Sequence, residues 1–513
     1  MANIIVCCDG TWNTAGQRDQ GLPCPTNVVK IYNALAEADN IAVRQKTYYH
    51  PGVGAEGDIF EHFLGGTLGD GLDKNIKSAY GWLGQEYAPG DKIFIFGFSR
   101  GAYTARYLAG MLCDYGLADF ATKKTPDAEI WERVDRILDA DRKGAKPETL
   151  SDIDFFNTPT GENSKGTTPI HFLGVWDTVG ALGVPSNFAL LQLLDWLQPF
   201  RFQDTKLSDC VRHARHAVAM DERRETFTPT LWTDTGEHPD AKQIWFPGVH
   251  GDVGGGHAQC GLSDGALLWM MDEAEAQGLA FRDRIRDQLS PDPRGVLHTS
   301  EDGVLGKLPT LPRSAPQLRD GATAFHASAL DRWKNPPIEQ SPYWPTRTLK
   351  PGAEASVDVY AREHWNATGF YLEAGAQYDL TAEGQWIDGD VPCDADGPQE
   401  GQFHLGRIIQ MAGSALGEAE KLFQNATNNP QAHFVWTKRV EDFEWFALVG
   451  VLANGMGTDA QGNPQTQETF KIGKSCKGFS PRQSGYLHCF ANDAWPAYGN
   501  NRGSVRLTIK RVH

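Results

Sequence analysis

The chain reads as an α/β protein, with a domain built on a mostly parallel sheet followed by a β-sandwich. Three observations predict this. Apolar runs suited to buried strands alternate with segments of helical spacing up to about residue 345. One run, Asp91 to Arg106 (DKIFIFGFSRGAYTAR), ends in Gly97-Phe98-Ser99-Arg100-Gly101 and passes straight into a helical pattern. Beyond about 350, helical spacing gives way to short alternating strands separated by polar turns.

At 513 residues and 40% hydrophobic composition the chain is long enough for two or three folded domains. The formal charge of -17 argues against nucleic acid or an anionic membrane surface as the main partner. The start, MANIIVCCDG, has no basic n-region and reads as a first strand, which suits a chain made in the cytoplasm without a signal peptide. Nine cysteines without CxxC spacing fit a mainly reduced protein, with Cys7 and Cys8 in the core.

In order, Asn3 to Cys8 is the opening strand, and Asp9-Gly10-Thr11-Trp12-Asn13 is the turn leaving it. Gly10 and Thr11 could offer a backbone N–H to an oxyanion; the alternative is an ordinary Asp-Gly turn capped by Asp9, and both remain open. Helical spacing covers Asn27 to Ala36 and Asp70 to Gln85, with a strand over Gln45 to Tyr49 between them. The Asp91 to Arg106 stretch then has the form of a nucleophile elbow: a buried strand turns into a helix and exposes Ser99 at the bend. Gly97 and Gly101 suit the close strand–helix crossing, and the Arg100 N–H lies at the helix start.

Further on, Asp127 to Arg142 reads as a helix, and Ile170 to Trp176 as a strand ending in Asp177. A carboxylate at that strand end can orient an imidazole on the same rim, or cap its own turn. The apolar stretch Pro185 to Phe202 reads either as an acyl-pocket lining or lid, or as a buried helix. Cys210 to Met220 has helical spacing and is followed by the charged cluster Asp221-Glu222-Arg223-Arg224. The strand Gln243 to Phe246 leads into Pro247 to His257, where His250 sits among glycines as a candidate general base. Asp252 is an alternative partner for His250, and His250, Asp252 and His257 are a rival metal set. Leu262 to Ala274 reads as an amphipathic helix. The order Ser99, Asp177, His250 is that of an α/β-hydrolase triad.

Four segments, VCCDGTWN, IFGFSRGAYTAR, FLGVWDTVG and WFPGVHGDVGGG, occur in this order within residues 1–345. Together they resemble the bacterial α/β-hydrolase family that includes phospholipase effectors exported by type VI secretion systems. The resemblance implies Ser99 as nucleophile, Asp177 as orienting acid, His250 as base, and no cofactor for catalysis. It also implies a lipid or other carboxylic ester as substrate, with a secretion apparatus and an immunity protein as partners of exported members. The alternative is a catalytically silent hydrolase fold that carries a carbohydrate-binding or structural module.

Residues 353–513 contain HWNATGFYLEAGAQYDLTAEGQW, FKIGK and LHCFANDAWPAYGNNRGSVRLTI, with a helical insertion expected near 404–422. These segments resemble the bacterial calcium-dependent galactose-binding lectins. The resemblance implies Ca2+ held by Asp493, the backbone oxygen of Ala497, Asn500 and Asn501, with a glycan or lipid headgroup as ligand. Trp495 and Arg502 in the same loop depart from that pattern.

Overall fold

The computed structural model describes residues 1–10, 13, 16–19, 21–39, 42–52, 68–156, 170–179, 206–233, 235–300, 310–398, 438–440, 442–455 and 466–513. The chain divides into two compact units. The first carries six strands, β1 (Asn3–Cys8), β2 (Gln45–His50), β3 (Lys92–Phe98), β4 (Ile170–Trp176), β5 (Val211–Ala219) and β6 (Ala241–Phe246). They form one sheet in the order β2-β1-β3-β4-β5-β6, every neighbouring pair parallel.

Parallel strands need crossovers, and the helices that supply them cover both faces of the sheet. The two-residue side-chain period shows this directly. Ile4, Val6, Ile93 and Ile95 join a core with α2 (Leu68–Glu86), α3 (Arg100–Asp114) and α4 (Asp127–Arg142). Their alternates Ile5, Cys7, Phe94 and Phe96 pack instead with α1 (Asn27–Ala34) and α6 (Gly261–Glu275). A short helix, α5 (His250–Gly254), follows β6, and α7 (Ala327–Lys334) comes later in the chain. Because the strands are parallel and in register, Cys8, Phe98, Trp176 and Ala219 end at one rim.

One expectation fails in this unit. The stretch 210–220 is not a helix: Val211–Ala219 is strand β5, hydrogen-bonded on both sides. Its charged residues, which break the pattern of a buried strand, are paired within the fold. Arg215 donates to Glu273 at 2.5 Å and Asp240 at 3.0 Å, and His213 meets Asp240 at 2.6 Å. Cys113 at the end of α3 is bonded to Cys210 just before β5. The other seven are free, and Cys7 and Cys8 are buried. The expected 185–202 pocket or lid lies outside the described residues.

The second unit holds two antiparallel sheets. One pairs Asn366–Leu372, Gly485–Ala491, Leu448–Ala453 and Glu468–Lys471 in that order. The other is built on Tyr378–Asp388, Asn501–Arg511 and Glu354–Tyr360, extended at one edge by Val391–Asp394 and Gly397–Pro398. Ser475–Phe479 also pairs with Tyr378–Asp388. Phe370, Leu452 and Leu487 of one sheet share a core with Leu380, Trp386 and Leu507 of the other, as a sandwich requires. Residues 310–322 join this unit, with Leu318 N donating to Tyr486 Oη at 2.9 Å. The insertion expected at 404–422 lies outside the described residues.

The disulfide closes a sequence separation of 97 residues. Replacing Cys113 and Cys210 together by serine is expected to lower stability by about 2–4 kcal/mol. Urea unfolding of oxidised wild type and the double variant checks this, and equal midpoints would contradict it.

Candidate active site

Ser99 sits where β3 meets α3, in a left-handed backbone conformation (φ 57°, ψ −123°) that few non-glycine residues adopt. The neighbouring chain explains the glycines around it. A Cβ on Gly101 would lie 2.2 Å from the Cys8 carbonyl oxygen, and one on Gly97 would lie 2.4 Å from the Gly101 carbonyl oxygen. The helix therefore crosses β1 and β3 at backbone contact. Ser99 N donates to Trp176 O at 3.1 Å, which ties the bend to the end of β4.

Asp177 follows β4 directly and is fully buried, also at positive φ (32°). Its backbone N donates to Ala217 O at 2.7 Å, and Oδ1 accepts from Ala219 N at 3.0 Å. Oδ2 meets His250 Nδ1 at 2.6 Å. A carboxylate only accepts, so Nδ1 carries the hydrogen and Nε2 keeps its lone pair.

His250 opens α5 and is itself buried. Its ring lies 4.5 Å from that of Phe98, the residue before Ser99, and 4.9 Å from Phe227. Gly254 makes room for Phe98, since a Cβ there would lie 1.9 Å from the Phe98 ring. Burial holds the His250 imidazole below its ordinary pKa; the Asp177 carboxylate opposes this, and Arg224 adds to the lowering. The ring is thus neutral at pH 7, the form that can take a proton.

The charged cluster after β5 supports this loop. Glu222, fully buried, accepts from His250 N at 3.2 Å and from Arg224 Nη2 at 2.7 Å. The Arg224 guanidinium in turn lies 3.6 Å from the centre of the Phe227 ring. Asp252 does not take the Asp177 position. Its Oδ2 accepts from Val249 N and its Oδ1 meets His298 Nδ1 at 2.5 Å.

Of the oxyanion candidates, Arg100 is the first residue of α3, where helix geometry supplies no i−4 acceptor for its N–H. Gly10 lies against the elbow, where a Cβ would be 3.2 Å from Ser99 Cβ. Its N–H is donated to Asp9 Oδ1 at 2.7 Å. Asp9 also accepts from Thr26 and Tyr49, each at 2.9 Å, and burial pushes its carboxyl up to about 6 despite these bonds. Thr11 lies outside the described residues.

In the second unit, Asp493 and Asn501 are buried, and Asn501 Nδ2 donates to Asp493 Oδ2 at 3.0 Å. Asn500 Nδ2 donates to Asp388 Oδ1 at 3.1 Å. The amide oxygens of Asn500 and Asn501 are buried and have no hydrogen-bond partner among the described residues. Burial, then the Asp388 charge, pushes Asp493 up to about 7. Orphaned amide oxygens beside two carboxylates form a donor set that fits a hard cation such as calcium. Ala497 lies in the same turn, and its N bonds Ala494 O at 2.9 Å. The two departures from the lectin pattern are both engaged: Trp495 stacks on His364, with ring centres 4.4 Å apart, and Arg502 donates to Gly389 O at 3.1 Å.

With this geometry in hand, the family profile described as "T6SS, Phospholipase effector Tle1-like, catalytic domain" matches residues 2–273, more than half of the chain. The chain belongs to this family. Its first unit is an α/β-hydrolase-type catalytic domain related to the Tle1-like effectors. A curated relative, the uncharacterized protein YEL023C of Saccharomyces cerevisiae, is 32% identical over 251 residues, covering 45% of this chain and 33% of that protein. The chain therefore spans about a third of that relative's length.

Solved structures give weaker likenesses. An uncharacterized protein from Pseudomonas aeruginosa is 18% identical with a TM-score of 0.34, over 57% of this chain and 49% of that one. The Tle1 effector bound to the VgrG spike is 21% identical with a TM-score of 0.28, over 49% and 50%. The PllA-like lectin domain of EclA is 18% identical with a TM-score of 0.18, over 30% of this chain and 94% of that one. Scores this low carry nothing about function. Among the described residues, no helix is long and apolar enough to cross a membrane.

Sequence reasoning missed two residues here. Glu222 was visible only as part of a charged cluster, with no sign that it would be buried beneath His250. His298 lies 46 positions from Asp252 and had no local signal.

The His250 imidazole is expected to titrate below the ordinary histidine value of about 6.5, and Asp177→Asn should move it lower still, because the carboxylate favours the imidazolium. NMR titration of labelled histidine reads both shifts; a midpoint above the ordinary value, or an upward shift in the variant, would contradict the assignment.

Proposed function

We propose that residues 1–345 form a serine hydrolase that cleaves carboxylic esters, with phospholipids as its substrate class. The observation that carries this reading is the buried 2.6 Å bond between His250 Nδ1 and Asp177 Oδ2, on the sheet rim that bears the Ser99 elbow. Family membership supports the substrate class.

In the proposed mechanism Ser99 Oγ attacks the ester carbonyl while His250 Nε2 takes its proton. Asp177 holds the ring in the Nδ1–H tautomer and stabilises the imidazolium that forms. The tetrahedral oxyanion is held by the Arg100 N–H and by the Gly10–Thr11 turn. His250 then protonates the departing alcohol, and water repeats the attack on the acyl-enzyme.

Residues 353–513 act in this reading as an accessory domain for a glycan or lipid headgroup. Asp493, Ala497 O, Asn500 and Asn501 would hold calcium, which would supply the positive charge that offsets the buried carboxylates. The family's description also supports export through a type VI secretion apparatus, and an exported member would have an immunity protein as a further partner.

Ser99→Ala is expected to lower phospholipid hydrolysis by at least about 10³-fold while leaving the fold intact. A product-resolved assay against phospholipids, triacylglycerols and small aryl esters checks this, and undiminished turnover in a folded variant would sink the triad. Calcium is expected to raise the unfolding temperature of the wild type but not of Asp493→Ala. Equal shifts in calorimetry would remove Asp493 from the calcium set.

A further inference from the structure

We propose that Asp252, His257 and His298 form a second site, separate from the Ser99 elbow, that binds a divalent first-row metal ion such as Zn2+. One ligand atom from each residue lies within 4.8 Å of the other two. Two imidazoles and one carboxylate are a borderline donor set, better matched to zinc than to calcium or magnesium.

The surroundings orient each ligand. Asp252 is buried, and its Oδ2 is fixed by Val249 N and His298 N, both at 3.1 Å. That directs Oδ1 to His298 Nδ1, 2.5 Å away. On its other side, His298 Nε2 faces Gln259 Oε1 at 3.3 Å. The amide oxygen accepts the Nε2 hydrogen, which makes Nδ1 the coordinating atom, as outer carboxylates and amides do for metal-bound histidines. The His257 ring lies on the His298 ring, with centres 3.8 Å apart. It reaches that position only because residue 251 is glycine, where a Cβ would lie 2.5 Å from His257 Nε2.

Binding needs a small rearrangement with a simple balance. Neighbouring ligands on a tetrahedral zinc are about 3.3 Å apart, so His298 Nδ1 and Asp252 Oδ1 must separate slightly. The ion replaces the proton they share, which leaves to solvent, and water completes the coordination. His250 is not a member of the group whose ligand atoms converge. The rival metal set read from sequence thus loses His250 and gains His298. Because Asp252 also holds Val249 N, the ion would fasten the loop that carries His250.

The test is metal uptake by the full chain, stripped with chelator and then titrated with Zn2+ by calorimetry and with Co2+ by absorption. A single ion per chain is expected, with nitrogen–oxygen ligand-field bands and no thiolate charge-transfer band, which separates this site from the seven free cysteines. His257→Ala and His298→Ala, each checked for folding by circular dichroism, should both weaken it at least about tenfold. No uptake by the wild type, a thiolate band, or unchanged affinity in either variant would overturn the proposal. The readout is independent of ester hydrolysis.

Discussion

The first unit depends on one steric constraint: α3 crosses β1 and β3 at backbone contact, with no room for a methyl group at Gly97 or Gly101. That crossing forces the bend at Ser99, and the bend holds a non-glycine residue in a left-handed conformation. It also brings Gly10 against Ser99 Cβ and turns the Phe98 ring towards His250 and Gly254. Strain at a single serine is stable only because packed sheet and helix surround it. The parallel register then gathers Asp9, Ser99 and Asp177 at one rim, so chemistry follows from topology.

Electrostatics at that rim rest on burial. His250 is neutral because its surroundings disfavour charge, and both oxygens of Asp177 are held by hydrogen bonds from Ala219 N and His250. Glu222 adds a second buried anion, matched by Arg224 rather than by the imidazole. The second unit shows the opposite condition. Burial, and then the Asp388 charge, raise the cost of ionising Asp493 beside orphaned amide oxygens, an arrangement that a bound cation would relieve.

Much of the fold was legible because its constraints are local. The elbow announces itself through two glycines flanking a serine between a strand and a helix, and α4 was bounded correctly by its spacing. Asp177 and His250 were visible as polar residues at strand ends. Strand β5 was not, because Arg215 and His213 look like the polar face of a helix until Glu273 and Asp240 arrive from elsewhere to pair with them. The Cys113–Cys210 bond was hidden for the same reason, since it depends on where the end of α3 meets the start of β5. His298 and Glu222 have roles that only the folded loop creates.

The central claim is that Ser99, His250 and Asp177 act as one chemical unit. Labelling with a serine-directed fluorophosphonate, followed by peptide mass spectrometry, tests it most directly, because the probe reacts only with a serine activated by its base. The account predicts a covalent adduct on Ser99 in the wild type and its loss in folded His250→Ala. An unlabelled Ser99, or labelling that does not depend on His250, would contradict it.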